Sequence, residues 1–155
     1  MKFESNIKEI QYSQERVYDK LSDMNNLSGL IEKLQDPAVK EKLKEQIPEE
    51  KLNSVQGYLD SMKLDSDSVS VNVAPIGELG FKIIDKQPSK CVKFASTNSP
   101  VGLKMWIQVV PTSETSSKLK LTVDADVNPF IAAMVSKPLK DGVERMADVL
   151  SLMPY

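Results

Sequence analysis

After Asn128-Pro129 the sequence runs into one long amphipathic pattern, in which Ile131, Val135, Leu139, Val143, Met146, Leu150 and Met153 form a single apolar stripe at helical spacing. A stripe of that length has to be buried against something equally long. Asparagine followed by proline supplies the start, because the side chain can cap the first turn and proline tolerates the first helical position. Pro138 lies inside the pattern, and its ring removes a backbone donor and crowds the preceding turn, so a kink about one turn upstream is expected.

The partner for this stripe is written immediately before it. From Val69 the apolar period drops to two, with Val69, Val71 and Val73 alternating with Ser68, Ser70 and Asn72. Four more alternating runs follow, carried by Leu79-Phe81-Ile83, by Val92-Phe94, by Leu103 to Val109 and by Leu119 to Val127. Turn-forming clusters separate them: Pro75 to Gly77, Gln87-Pro88-Ser89, Asn98-Ser99-Pro100 and Ser113 to Ser117.

At the other end, residues 2 to 11 read as one strand with Phe3 and Ile7 on its buried side. Ser13 caps a short helix through Val17, Tyr18 and Leu21; Asn25 and Asn26 break it, and Leu27, Leu30, Ile31 and Leu34 mark a second. Asp36-Pro37 opens a further helical segment through Val39, Leu43 and Ile47, punctuated by Pro48, and Leu52, Val55, Leu59 and Met62 continue the spacing beyond it. The expected architecture is α+β: one domain over 1–155, a curved antiparallel sheet of about six strands wrapped around the C-terminal helix. Two short helices follow the first strand, and a helical insertion over 35–66 precedes the second.

Composition narrows the functions. Of 155 residues, 20 are basic and 22 acidic, for a net charge of -2, and the arginines are Arg16 and Arg145 alone. No segment can neutralise a run of phosphates, so nucleic acid is not an expected partner. No apolar stretch reaches the roughly 20 residues that cross a bilayer, so integral membrane association is not expected. The polar opening Met1-Lys2-Phe3-Glu4-Ser5 and the single Cys91 point to the cytoplasm. The chain contains no histidine, which removes Ser-His and Cys-His mechanisms and the most common zinc ligand; neither a cofactor nor a metal is expected.

The opening Met1-Lys2-Phe3-Glu4-Ser5, the segment Ser13-Gln14-Glu15-Arg16-Val17-Tyr18-Asp19-Lys20-Leu21-Ser22-Asp23 and the closing Asn128-Pro129-Phe130-Ile131 resemble the first strand, first helix and last helix of the START-like or SRPBCC superfamily. That superfamily holds pollen-allergen-type and polyketide-cyclase-like proteins. The resemblance spans nearly the full chain and implies the helix-grip fold, whose members differ in what their cavities do. The insertion at 35–66 is longer than in many relatives, long enough to plug or lid a cavity.

In such a fold, Val71, Phe81, Phe94, Met105, Ile107, Leu121 and Val123 share the concave face by strand parity, with Phe130 and Met134 facing them from the helix. These nine are the candidate cavity lining, and they serve a filled core equally well. Trp106 has the opposite parity and faces the convex side, as a contact for a protein partner or as a ring covered by lysine stems. Asp65 and Asp67 lack the glycine and distant glutamate of a calcium loop. Lys90 and Lys93 beside Cys91 would lower its pKa. For acid–base chemistry, Glu9 and Tyr18 are the candidates.

Three functions fit. The expected one is noncatalytic binding of a small hydrophobic molecule, a lipid, polyketide or aromatic metabolite, by a monomer or homodimer. The others are a cyclase-like or hydrolase-like enzyme using a carboxylate or tyrosine, and an interaction module with a filled groove.

Overall fold

The computed structural model describes residues 1–73, 76–98, 102–153 and 155, with the side chains of Gln46, Lys51, Ser54, Val55 and Asn98 outside the description. The turn residues Pro75, Ser99 and Pro100 and the Val55 side chain therefore lie outside the described residues.

The elements run β1 (Lys2–Glu4), β2 (Lys8–Ile10), α1 (Gln14–Leu21), α2 (Met24–Leu34), α3 (Pro37–Gln46), α4 (Glu49–Ser61), β3 (Lys63–Leu64), β4 (Ser68–Val73), β5 (Gly77–Gln87), β6 (Cys91–Asn98), β7 (Gly102–Pro111), β8 (Ser117–Asp126) and α5 (Pro129–Ser151). One antiparallel sheet takes the order β1-β8-β7-β6-β5-β4-β3, with β2 also on β8. The sheet curves around α5 as expected. Eight strands replace the expected six among the described residues, because a short β3 extends the edge beside β4 and the first strand is broken in two.

That break has a register cause. Phe3 pairs with Val123, whereas Lys8 pairs with Leu119, so one extra residue is accommodated between the two segments. Ser5 fills the irregularity: its amide donates to the Leu121 carbonyl at 2.9 Å and its hydroxyl accepts from the Leu121 amide at 3.0 Å. A shift of one residue flips the facing, so Ile7 is exposed and Ile10 takes the buried position, correcting the reading of Ile7 as inward.

Caps set the helices. The hydroxyl of Ser13 accepts from the Arg16 amide, Asp36 accepts from Ala38, and Asn128 Oδ1 accepts from Ile131 at 3.0 Å. Asn25 and Asn26 do not break a helix; they lie in the first turn of α2, whose cap is Asp23. Between β5 and β6 a turn closes from the Lys90 amide to the Gln87 carbonyl at 3.0 Å, with Ser89 at φ 64°. Helix α5 runs for 23 residues through Pro138. Along its inner side Val135, Leu139, Val143 and Leu150 are buried, while Ile131 at the first turn is exposed.

The two ends of the chain are tied together. Arg16 Nε donates to the Tyr155 carbonyl at 2.6 Å, and the Tyr155 hydroxyl donates to the Leu150 carbonyl at 2.6 Å in a fully buried setting.

Candidate functional site

The concave face of the sheet and α5 enclose a cavity of about 70 Å³. Valines, leucines and phenylalanines from β4 to β8 form its floor because strand parity sends every second residue inward. Val71, Phe81, Phe94, Met105, Ile107, Leu121 and Val123 all line it. Two irregularities interrupt the β5–β6 pairing: Thr97 is the extra residue of β6 opposite Gly80 and Phe81, and Ile84 is the extra residue of β5 between Ile83 and Asp85.

Phe130 and Met134 do not. They are 87% and 75% exposed, on the outer side of α5, which corrects their assignment to the lining. Helical geometry accounts for it: at about 100° per residue, Phe130 stands about half a turn around the axis from Leu139, which does face the cavity.

Helix α2 and the insertion supply the wall that strand parity could not reveal. Met24 and Leu27 of α2, Tyr58 of α4 and Met62 at its C-terminal cap enter the lining, with Leu139, Gly142, Val143, Met146 and Leu150 opposite them on α5. Four lining residues are methionines, Met24, Met62, Met105 and Met146, flexible thioethers able to repack around different shapes. The legible signals were the helical spacing of Leu27 in α2 and that of Leu59 and Met62; no spacing tells which side of α4 meets α5.

Polarity inside the cavity is confined to one side chain. Among the described lining residues Tyr58 alone carries an ionisable group. Its hydroxyl sits at the α4–α5 seam, 3.7 Å from where a Cβ on Gly142 would stand. Burial pushes its pKa up, the Asp141 carboxylate adds to this, and Arg145 opposes it.

The candidates for acid–base chemistry lie elsewhere. Glu9 is exposed on β2. Tyr18 is buried outside the cavity lining, its hydroxyl without a hydrogen-bond partner among the described residues. Burial, then the neighbouring Cys91, Asp85 and Asp19, raise its pKa. The Cys91 thiol is raised rather than lowered: burial and Asp85 outweigh Lys93, contrary to the expectation from its flanking lysines.

The remaining sites resolve individually. Trp106 is half-buried on the convex face with the Lys93 ammonium 5.3 Å from its ring centroid, so a lysine does cover it. Asp65 accepts from the Ser66 amide, while Asp67 pairs with Lys82 at 3.5 Å. Among the described residues no group of three or more acidic or cysteine side chains is placed to hold a metal. No described helix is long and apolar enough to cross a membrane.

A partly exposed ion-pair cluster, with Asp148 its one buried member, joins β2 to α5. Lys8 Nζ lies 2.6 Å from Glu144 and 2.9 Å from Asp148, and Arg145 reaches Asp148 at 3.4 Å. None of these four lines the cavity.

No protein-family model and no curated protein matches this sequence. Solved structures do match over nearly the whole chain. A START superfamily protein from Mycobacterium smegmatis is 12% identical, with a TM-score of 0.60 over 97% of this chain and 94% of that one. Norcoclaurine synthase from Thalictrum flavum is 17% identical, with a TM-score of 0.63 over 97% and 84%. The protein XoxI from Bacillus cereus is 16% identical, with a TM-score of 0.54 over 97% and 92%. With the curved antiparallel sheet, the C-terminal helix it grips and the enclosed space between them, these likenesses establish that the chain has the START-like, SRPBCC helix-grip fold.

Proposed function

We propose that this protein binds a small hydrophobic molecule, a lipid, polyketide or aromatic metabolite, between the sheet and α5, without transforming it. The observation that carries the proposal is the lining itself: it is hydrocarbon and thioether throughout, apart from Gly142 and the Tyr58 hydroxyl. Noncatalytic binding is preferred because acid–base chemistry ordinarily needs groups able to give and take a proton near neutral pH, and Tyr58 stands alone with its pKa raised. A norcoclaurine synthase structure contains dopamine and hydroxybenzaldehyde, which makes small aromatics a sensible class to screen here.

Size sets how binding would proceed. An apolar cavity of ~150 Å³ holds a benzene-sized molecule. The space of about 70 Å³ must therefore widen for any such ligand. The four methionines offer side-chain rearrangement, and the insertion offers a moving wall. Leu59 is the buried side chain described in α4, while Val39, Leu43, Tyr58 and Met62 pack on the core only partly buried, so this segment is held less deeply than the strands and α5. The proposal has the protein acting in the cytoplasm as a monomer or homodimer, with Trp106 as the contact for any protein partner.

Native mass spectrometry of protein purified gently from its own cells tests this, followed by denaturing extraction. The expected result is a stoichiometric mass increment that releases one neutral small molecule. Protein with nothing to extract, together with Phe94→Trp and Met105→Trp variants that change stability alone, would overturn it.

A further inference from the structure

We infer that the Tyr58 hydroxyl is the specificity-determining group of the cavity, donating a hydrogen bond to the single acceptor oxygen of a neutral, otherwise apolar ligand. The inference rests on the proposed binding function and deepens it by naming the ligand's chemistry.

The lining excludes an ionised ligand. No Lys, Arg, Asp or Glu is among the described lining residues, so a carboxylate or ammonium drawn inside would shed its hydration with no countercharge. A ligand rich in hydroxyls would meet the same difficulty several times over, because most of the wall has no polar side chain to answer it. One oxygen can be satisfied, and Tyr58 is placed to do it. Its hydroxyl stands beside Gly142 and Val73 at the α4–α5 seam, where an added Cβ on Gly142 would lie 3.4 Å from Val73 Cγ1 and 3.7 Å from the tyrosine oxygen. No described residue forms a hydrogen bond with that hydroxyl, so its proton is available for a ligand. A phenol of ordinary pKa about 10 is protonated near neutral pH and hence a donor, and burial, ahead of Asp141, only raises that value. Since α4 belongs to the insertion, the residue that reads the ligand is carried by the segment covering the cavity.

The test pairs methyl heptyl ketone with the alkene that carries a methylene group in place of its carbonyl oxygen. Both are titrated calorimetrically into the full chain and into Tyr58→Phe, whose fold is checked by circular dichroism. The expected result is that Tyr58→Phe weakens ketone binding about threefold to tenfold, the range for one neutral hydrogen bond, and leaves the alkene within about twofold. If both ligands bind the natural chain and the variant shifts them equally or not at all, the role of Tyr58 is overturned while the cavity stands. If neither binds the natural chain, the binding function itself fails and the inference falls with it.

Discussion

Lys8 Nζ lies 2.9 Å from Asp148 Oδ1, joining β2 to a carboxylate on α5 that is almost wholly withdrawn from water. Glu144 approaches the same ammonium at 2.6 Å. The pair fixes the N-terminal strand segments to the helix that the sheet grips. Lys8→Met removes the cation and leaves Asp148 buried with Arg145 at 3.4 Å, a poorer partner. The expected loss is about 2 to 3 kcal/mol, below the full cost of stranding a buried charge because Arg145 remains, and urea denaturation measures it.

The same cluster gives stability a pH profile. Burial would raise the Glu144 carboxyl, but hydrogen bonds from Lys8 and Asn6 outweigh it and hold the pKa below the ordinary 4.5. This stabilisation is present above 4.5 and is lost as the pH falls through the lower folded value. Burial would lower Lys8, but Asp148 and Glu144 outweigh it and lift the pKa above 10.5, so its share is present below 10.5 and lost as the pH rises past the folded value. Glu144→Gln should flatten the acid limb of melting temperature against pH; an unchanged acid limb would contradict the assignment.

Facing along α5 can be tested by a pair of truncations. Phe94 is 1% exposed at the cavity floor, and Phe94→Ala is expected to cost about 3 to 5 kcal/mol. Phe130→Ala, at an exposed position, should fall within about 0.5 kcal/mol of the natural chain. Comparable losses at both sites would mean that Phe130 packs inward after all.

Much of this was legible before the structure. Ser13, Asp36-Pro37 and Asn128-Pro129 cap or open the helices their chemistry suits, and alternation in residues 68–73 and 102–126 identified strands and the inward residues on them. Periodicity failed where one residue changed the phase. The irregularity at Ser5 inverted the facing of Ile7, and an offset of one residue from the apolar stripe put Phe130 and Met134 outside. Asn25 and Asn26, poor helix formers, are accepted in α2 because Met24, Leu27, Leu30 and Leu34 are buried around them. Tyr58 was illegible for another reason: its place in the cavity depends on how α4 docks, which is set by tertiary contact rather than by spacing.

Gly142 and Gly57 offer a controlled contrast. Replacing helical glycine by alanine gains up to about 1 kcal/mol from backbone entropy. At Gly57 nothing lies within 4 Å of the new Cβ, whereas at Gly142 it meets Val73 at 3.4 Å beside the Tyr58 hydroxyl. Both variants should raise the melting temperature, and Gly142→Ala alone should weaken ligand uptake. Equal uptake by the two would mean that the space beside Gly142 is not where the ligand sits.

Strand β8 serves both β1 and β2 on one edge while β7 holds the other. Phe3 therefore waits for Val123, and Lys8 for Leu119, across more than a hundred intervening residues. On the ribosome those N-terminal segments emerge long before their partners, and the hairpins from β4 to β7 can zip up without them. Closure of the β1–β8 edge is therefore a pairing of high contact order, expected to follow the local hairpins rather than to lead them.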